Sequence, residues 1–255
     1  MQVIIVAGAA DSGPVVADIV AAAVGGAERT VLGLATGSSP LPAYRELSRR
    51  HEREGLSFAG VEAFLLDEYV GLPAGHPQAY RSVIRRELTD HLDIDPAAVH
   101  GPDGTNPDPV AAAAGYERAL VAAGPVAVQL LGIGGNGHIG FNEPGSSLRS
   151  VTRVAGLTER TRRDNARFFG SLAAVPHRVI TQGLATICRA EHLVLVADGA
   201  AKAAAVAAAV EGPLSASCPA SVLQWHPRAT VVLDEAAAAG LRHVERYRCA
   251  AADVG

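Results

Sequence analysis

The chain alternates short apolar runs with longer segments in which alanine and charged residues are mixed. Six runs are apolar at successive positions rather than at every second position, which is typical of strands covered on both faces of a sheet. They span residues 3–7, 30–35, 61–66, 126–131, 193–197 and 230–233. Helical patterns lie between them, over residues 11–24, 40–53, 77–88, 109–123 and 200–210.

This alternation predicts an α/β fold, a single-domain Rossmann-like and mostly parallel sheet with helices on both faces. No linker, repeat or low-complexity tract divides residues 1–255. Residues 144–176 break the alternation and contain several arginines, so we expect them to form a lid. In sheets of this kind ligands bind beyond the carboxyl ends of the strands, so the residues that follow each strand are the first candidates for a site.

The composition excludes several classes of function. The formal net charge is −4 and no basic block occurs, so we expect no nucleic-acid partner. No apolar run reaches the roughly 18 residues needed to cross a membrane, and the apolar start lacks the charged leader of a signal peptide. The three cysteines, Cys188, Cys218 and Cys249, are far apart and suit a reducing compartment. We therefore expect a cytoplasmic protein with no membrane partner.

The turn after the second apolar run has features of an anion site. Gly37 lets the backbone approach a ligand closely, and Ser38 and Ser39 place hydroxyls beside it. We expect Ser39 to be the N-cap and Pro40 the first helical residue, which would leave open N–H groups at the positive end of a helix dipole. An ordinary capped turn has the same composition, so this motif alone assigns no ligand.

Two carboxylates, Asp67 and Glu68, directly follow the third apolar run. A carboxylate at the carboxyl end of a strand, in a partly closed pocket, can act as a general base. The structural alternatives are a solvated acid or a helix cap. Spacing alone does not decide which of the two residues is catalytic.

Residues 131–144 read LGIGGNGHIGFNEP and bring three polar side chains, Asn136, His138 and Glu143, into one glycine-rich loop. An imidazole titrates near neutral pH, and a nearby carboxylate can orient it and favour its protonated form. The alternative is a structural histidine in a tight turn, but the proximity of Glu143 favours proton transfer. His138 and Glu143 could be two metal ligands, but no further cluster of His, Cys or Asp has ligand spacing. We therefore expect no metal.

Two cations complete the set of candidate residues. Arg167 lies in the proposed lid, and Lys202 opens the helix that follows the fifth apolar run. Both side chains suit a phosphate group, although each alone could equally be a solvated surface charge.

Taken together, these segments resemble the glucosamine-6-phosphate deaminase family over residues 32–235. The motifs that carry the resemblance are LGLATGSSP, LDEYVGL, HPQAYRS, GIGGNGHIGFNEPGSSL, TRRDNARFF, AAVEG and SVLQWHP. GHIGFNEP and DEYVGL are the most specific of them. The resemblance implies an enzyme that isomerises and deaminates glucosamine 6-phosphate to fructose 6-phosphate and ammonia, and that needs no cofactor.

The resemblance also implies a role for each candidate residue. Asp67 matches the base that moves a proton from C2 to C1 of the open-chain sugar, and His138 the acid/base that opens the ring. Glu143 and Asn136 match the relay partners of that histidine. Some members carry Asp in place of Asn136, so we expect Asn136 to orient His138 and Glu143 to be the only carboxylate that tunes it. The positions that match the phosphate-binding residues are Gly37, Ser38, Ser39, Arg167 and Lys202.

Some relatives are activated by N-acetylglucosamine 6-phosphate at a subunit interface. Ser146, Ser147 and Arg153 match part of that effector site, but Ala155 stands where those enzymes have a lysine. A charge-assisted contact of this kind contributes about 1.5–3 kcal/mol, so its loss predicts weak or absent activation. Members range from monomer to hexamer, so the resemblance allows a homo-oligomer without predicting one.

Two alternatives remain on the same scaffold. The 6-phosphogluconolactonase family carries a GHTASLFP-like string where this chain has GHIGFNEP, and it would imply a hydrolase acting on a lactone. A non-catalytic sugar-phosphate sensor would need an attached DNA-binding helix-turn-helix, for which a first strand at residue 3 leaves no room. The deaminase motifs favour the enzyme that acts on glucosamine 6-phosphate over both.

Overall fold

A computed structural model describes residues 1–252 and shows ten strands and nine α-helices in that range. The strands are β1 (Gln2–Val6), β2 (Thr30–Leu34), β3 (Val61–Leu65), β4 (Asp67–Tyr69), β5 (Val99–His100), β6 (Val128–Gly132), β7 (Arg153–Gly156), β8 (Arg178–Thr181), β9 (Leu193–Ala197) and β10 (Ala229–Asp234). The helices are α1 (Ser12–Gly25), α2 (Leu41–Glu54), α3 (Tyr80–Glu87), α4 (Pro109–Ala123), α5 (Glu159–Phe169), α6 (Leu184–Ile187), α7 (Ala203–Val210), α8 (Glu235–Ala238) and α9 (Val244–Ala252).

Seven strands form one sheet in the order β1-β10-β9-β6-β2-β3-β5, and every pairing in it is parallel. All six predicted strands lie in this sheet, with bounds shifted by at most two residues, so the predicted α/β class is confirmed. The seventh strand, β5, has two residues and gives no apolar run long enough to predict. All five residues of β2 and of β9 are buried, which explains why these strands show no alternation of polar and apolar positions.

The strand order places a cleft between β2 and β6. From β2 the chain proceeds to β3 and β5 in one direction, whereas from β6 it proceeds to β9 and β10 in the other. Right-handed crossovers then put α1, α2 and α3 on one face and α4, α6 and α7 on the opposite face. The loops that follow β2 and β6 therefore diverge at the carboxyl edge, where doubly wound sheets bind their ligands.

A second, antiparallel sheet of three strands, in the order β4-β8-β7, was not predicted. Its strands are only three or four residues long, so they carry little pattern. One residue, Leu66, separates β3 of the large sheet from β4 of the small one, and its N–H donates to Leu34 O (3.1 Å). Asp67 pairs with Thr181 of β8, so it lies where the chain passes from one sheet to the other.

Some predicted boundaries were wrong for local reasons. Helix α3 begins at Tyr80 rather than at residue 77, because residues 73–79 form turns and Ala79 is extended. Residues 200–202 form a 3₁₀ turn, so Lys202 precedes α7 instead of opening an α-helix. Residues 144–176, the predicted lid, contain β7 and α5. The motion of this segment stays a prediction.

Candidate active site

Four loops meet at the carboxyl edge of the large sheet. They follow β2, β3, β6 and β9, and β9, β6, β2 and β3 are consecutive neighbours in the sheet. Residues 35–40, 66–69, 133–143 and 198–202 form these segments, of which 67–69 is the short strand β4, and they carry eight of the nine candidate residues. The ninth, Arg167, lies on α5.

The structure distinguishes the two adjacent carboxylates. Glu68 accepts hydrogen bonds from the backbone N–H groups of Tyr69 (2.8 Å), Tyr80 (2.9 Å) and Arg81 (3.0 Å). The last two belong to the first turn of α3, whose N–H groups have no partner inside the helix. Glu68 is therefore a cap supplied from a distant strand, and its acceptor oxygens are occupied.

Asp67 has the opposite environment. Asp67 is 5% exposed, and no hydrogen bond within residues 1–252 reaches its carboxylate. Burial raises the pKa of Asp67 well above its ordinary value, and the charge of Glu68 adds to the rise. A Cβ added at Gly140 would lie 3.6 Å from Asp67 Oδ2, so this oxygen faces the glycine-rich loop. A desolvated, unpaired carboxylate in this position is suited to accept a proton from a ligand.

The glycine-rich loop holds its three polar side chains in a chain of hydrogen bonds. His138 Nδ1 lies 2.7 Å from Asn136 Oδ1, and Asn136 Nδ2 donates to Glu143 Oε2 over 2.6 Å. An amide oxygen only accepts, so Nδ1 carries the proton and Nε2 keeps its lone pair. This is the tautomer that can take a proton from a sugar hydroxyl. The expected orienting contact of Asn136 is present.

The charge state of His138 results from opposing influences. Burial lowers the pKa of His138 below its ordinary value, Glu143 and Asp164 act to raise it, and Lys202 and Arg160 act to lower it. The net pKa is lowered, which leaves the ring neutral at neutral pH. The expectation that Glu143 is the only carboxylate tuning His138 is wrong, because Asp164 of α5 also contributes.

Two glycines of the loop are required by close approaches. A Cβ at Gly134 would lie 2.1 Å from His138 Cε1, so the imidazole lies directly on the backbone. Gly137 has φ of +85°, and a Cβ there would lie 2.7 Å from Cys218 Sγ. A side chain at either position would displace the histidine or its loop.

Sequence reasoning missed three residues that support the loop. Thr161 Oγ1 donates to Glu143 Oε1, and Thr158 caps α5 by accepting from Thr161 N (3.2 Å). Asn142 is fully buried, donates to Ile139 O and to Gln182 O (both 2.9 Å), and so links the loop to the end of β8. A threonine before a helix is a recognisable cap signal, but nothing in the sequence relates it to Glu143.

Two of the residues that match an effector site of some relatives, Arg153 and Ser146, are in contact. Arg153 donates to Asn142 Oδ1 (2.8 Å) and to Ser146 Oγ (3.2 Å), and Ala155 lies two residues further along β7. Ser147 Oγ accepts from the N–H of Arg149 (3.2 Å). Arg153 therefore contacts the loop that carries His138 and Glu143, although the predicted weak activation stays a prediction.

The serine turn differs from its predicted form. Gly37 has φ of +105° and Ser38 is exposed, as an anion-binding turn requires. However, α2 begins at Leu41, and Ser39 does not cap it. The Ser39 hydroxyl instead donates to Asp198 Oδ1 over 2.7 Å. The prediction of Ser39 as N-cap and Pro40 as first helical residue was wrong by one position, because this hydroxyl has a partner across the cleft.

The two candidate cations have different surroundings. Lys202 Nζ donates to Ile133 O (2.7 Å), and burial lowers the pKa of Lys202, against a rise from Asp198 and Asp164. Arg167 is exposed, and its guanidinium lies over the ring of Phe168, 4.7 Å from the ring centroid. Its charge also lowers the pKa of Lys202, so α5 brings a second positive charge toward the same edge of the sheet.

Residues 1–252 show neither a metal-binding cluster nor a membrane-spanning helix. No group of three or more His, Cys, Asp or Glu side chains is arranged to hold a metal ion. In the same range, no helix combines the length and the apolar character that a membrane span requires.

Comparison with known proteins gives a consistent result. The sequence profile described as glucosamine-6-phosphate isomerases/6-phosphogluconolactonase matches residues 8–232. The glucosamine-6-phosphate deaminase of Arthrobacter sp. (strain FB24) is 58% identical over 97% of this chain and 95% of its own length. That of Rhodococcus opacus (strain B4) is 58% identical over 98% of this chain and 96% of its own.

Among solved structures, a monomeric glucosamine-6-phosphate deaminase superposes with a TM-score of 0.92 at 39% identity, over 94% of this chain and all of the other. The 6-phosphogluconolactonase from Trypanosoma cruzi superposes with a TM-score of 0.76 at 20% identity, over 94% of this chain and 97% of its own. The second similarity shows a shared fold alone.

Proposed function

The chain belongs to the family of glucosamine-6-phosphate isomerases and 6-phosphogluconolactonases, and from this membership and the geometry of the site we propose that it isomerises and deaminates glucosamine 6-phosphate to fructose 6-phosphate and ammonia. The observation that carries the proposal is the position of Asp67, which faces the glycine-rich loop that contains His138. Within residues 1–252 no hydrogen bond reaches this buried carboxylate, and it faces a loop that presents an oriented imidazole.

The phosphate is held on the side of the cleft away from Asp67. Backbone N–H groups of the turn at Gly37 and Ser38, with Lys202 and Arg167, supply the donors and the positive charge. Binding the phosphate there fixes the far end of the open-chain sugar. The reacting carbons C1 and C2 are then confined near Asp67, which reduces the entropic cost of reaching the reactive geometry.

His138 opens the pyranose ring. Its Nε2 accepts the proton of the anomeric hydroxyl and returns a proton to the ring oxygen, so the C1–O5 bond breaks and the aldehyde forms. The histidine ends in the state in which it began. Asn136 and Glu143 hold the imidazole of His138 in the tautomer that this step requires.

Asp67 then carries out the isomerisation. Its carboxylate takes the C2 proton to give an enolamine, and the proton is delivered to C1, which leaves a ketimine at C2. Water adds to the ketimine carbon and ammonia departs, giving fructose 6-phosphate. The overall change is substrate plus water to ketose phosphate plus ammonia, and general acid–base steps of this type contribute about 10²–10⁴-fold each.

The geometry favours this reaction over the two alternatives. Hydrolysis of a lactone moves no proton between carbons and needs no base buried beside the histidine loop. A non-catalytic sensor gains nothing from an unpaired carboxylate, which costs folding free energy. The relatives that are 58% identical are deaminases, whereas the lactonase similarity is one of fold.

The deciding experiment is an assay on the purified protein. Glucosamine 6-phosphate is supplied, and ammonia and fructose 6-phosphate are measured by separate coupled enzymes, with 6-phosphogluconolactone as the control substrate. We expect equimolar formation of both products and no acceleration of lactone hydrolysis. Lactone hydrolysis without ammonia release would refute the proposal.

Three further expectations accompany this function. The enzyme acts in the cytoplasm, because phosphorylated sugars do not cross a membrane freely. Residues 144–176 act as a lid, since they carry Thr161, Asp164 and Arg167 to the site from one side. A homo-oligomer is compatible with the sequence, and size-exclusion chromatography with light scattering would determine the state.

A further inference from the structure

A carboxylate lies inside the proposed phosphate subsite. Asp198 follows β9 at its carboxyl end and is half-buried. Its Oδ1 accepts the hydroxyl proton of Ser39 over 2.7 Å, and its negative charge acts on Lys202. Ser39 and Lys202 both match phosphate-binding positions of the family, so an acid is placed among groups that should attract an anion.

The turn that carries Asp198 is held in place by its neighbours. The N–H of Gly199 donates to both carboxylate oxygens of Asp234 (3.0 and 3.1 Å), and the N–H of Lys202 donates to Gly199 O (3.0 Å). Gly199 has φ of +84°, which any other residue would adopt only with strain. This anchoring keeps the backbone of Asp198 close to the serine turn.

The contact creates a direct competition for one proton. A serine hydroxyl has a single hydrogen to donate, and Asp198 holds it. A phosphate dianion offers only acceptor oxygens, so it can receive the Ser39 hydroxyl proton only by displacing Asp198. The dianion must also approach a fixed negative charge, which opposes the attraction of Lys202 and Arg167.

We propose that Asp198 is a specificity-determining residue that limits the affinity of the site for phosphate dianions, by holding the Ser39 hydroxyl and by offsetting the charge of Lys202. The inference rests on the proposed function, since it takes Ser39 and Lys202 as phosphate ligands. It predicts that neutralising Asp198 strengthens binding. A gain of affinity cannot result from misfolding or from a loosened site.

The test is Asp198→Asn, whose side-chain oxygen can still accept the Ser39 hydroxyl while the charge is removed. Inorganic phosphate is used as a competitive inhibitor of glucosamine 6-phosphate turnover. For two charges several ångströms apart near a protein surface, we expect the inhibition constant of phosphate and the KM of the substrate each to fall by about 3- to 10-fold.

The matched control is Glu191→Gln. Glu191 precedes the same strand, β9, about 20 Å from Asp198 at the strand rise per residue, and the variant changes the net charge by the same amount. We expect its phosphate inhibition constant to match that of the wild type. Asp198→Ser, which is smaller and also neutral, replaces Asp198→Asn if the latter does not fold.

The outcomes separate the two proposals. An unchanged or weaker phosphate affinity in the Asp198 variants, with a wild type that releases ammonia, overturns the role of Asp198 and leaves the function standing. An equal gain in Glu191→Gln also overturns it, because the effect would then be one of net charge. A wild type that releases no ammonia from glucosamine 6-phosphate overturns the proposed function itself.

Discussion

Asp67 in β4 and His138 in the glycine-rich loop lie at the same edge of the large sheet but differ in their hydrogen bonds. Asp67 has no hydrogen-bond partner within residues 1–252, and burial alone accounts for most of the rise in its pKa. His138 is hydrogen-bonded to Asn136, and Asn136 donates to Glu143. Glu143 in turn accepts a hydrogen bond from Thr161. Burial is the largest cause of the pKa shift of both groups, but His138 in addition has a chain of hydrogen bonds that fixes the orientation of its ring.

This difference determines which substitutions change the pKa of each group. The pKa of Asp67 responds to its burial and to the charge of Glu68, and not to a hydrogen-bond partner within residues 1–252. The pKa of His138 can be changed by a substitution at any residue of its hydrogen-bond network. Each such substitution should reduce activity less than removal of the imidazole itself. Four substitutions test this comparison, in order of decreasing effect.

Asp67→Asn should have the largest effect. An amide cannot accept the C2 proton, so we expect turnover to fall by at least about 10³-fold, measured as ammonia release. Binding of inorganic phosphate, measured by calorimetry, should change little because the phosphate ligands lie elsewhere. A variant that retained wild-type turnover would remove Asp67 from the mechanism.

The same variant should be more stable than the wild type. The folded-state pKa of Asp67 is raised, so ionisation of Asp67 favours the unfolded chain. The stability that this group contributes is present below its unfolded pKa of about 3.9 and is lost as the pH rises through its folded pKa. We therefore expect the Tm advantage of Asp67→Asn to be large at pH 8 and to vanish toward pH 4.

Asn136→Asp should have an intermediate effect, and it acts on His138 rather than on Asp67. A second carboxylate beside Glu143 favours the imidazolium and raises the pKa of His138, which must be neutral to accept a proton. We expect the acid limb of the pH–rate profile to move up by about one unit, which lowers activity by up to about tenfold on that limb. NMR titration of the His138 ring measures the shift directly, and an unmoved ring pKa would contradict the relay.

Glu68→Gln should have a smaller effect, with the reverse sign. Removal of the Glu68 charge lowers the pKa of Asp67, which must be ionised to act, so the acid limb should move to lower pH. Loss of part of the cap should cost about 1 kcal/mol of stability, with turnover at the optimum within about threefold of the wild type. Glu87→Gln, at the far end of α3, is the control and should leave the profile in place.

Thr161→Val should have the smallest effect. The substitution keeps the shape of the side chain and removes the hydroxyl that donates to Glu143. We expect about a twofold loss of kcat and a slight rise in the pKa of His138, because Glu143 loses a donor that stabilises its charge. Thr105→Val, in an exposed loop, is the control, and an equal loss there would show that the effect is not specific to Glu143.

Elements with long, uninterrupted apolar runs could be predicted, and those with short strands could not. The six predicted strands lie in the large sheet because burial on both faces requires such runs. The small sheet has strands of three or four residues, and one of its two pairings joins segments more than 100 residues apart, as Asp67 with Thr181. Strands this short leave no local pattern in the sequence.

The order of residues by itself determined the strand–helix alternation, the glycine-rich loop and the position of the candidate side chains other than Arg167 after the ends of strands, since hydrophobic periodicity and glycine act locally. Tertiary structure alone decided that Glu68 caps a helix while Asp67 stays unpaired, and that the hydroxyl of Ser39 turns to Asp198. These assignments depend on which donors and acceptors come within about 3 Å of each other, and that is settled only when distant segments pack together.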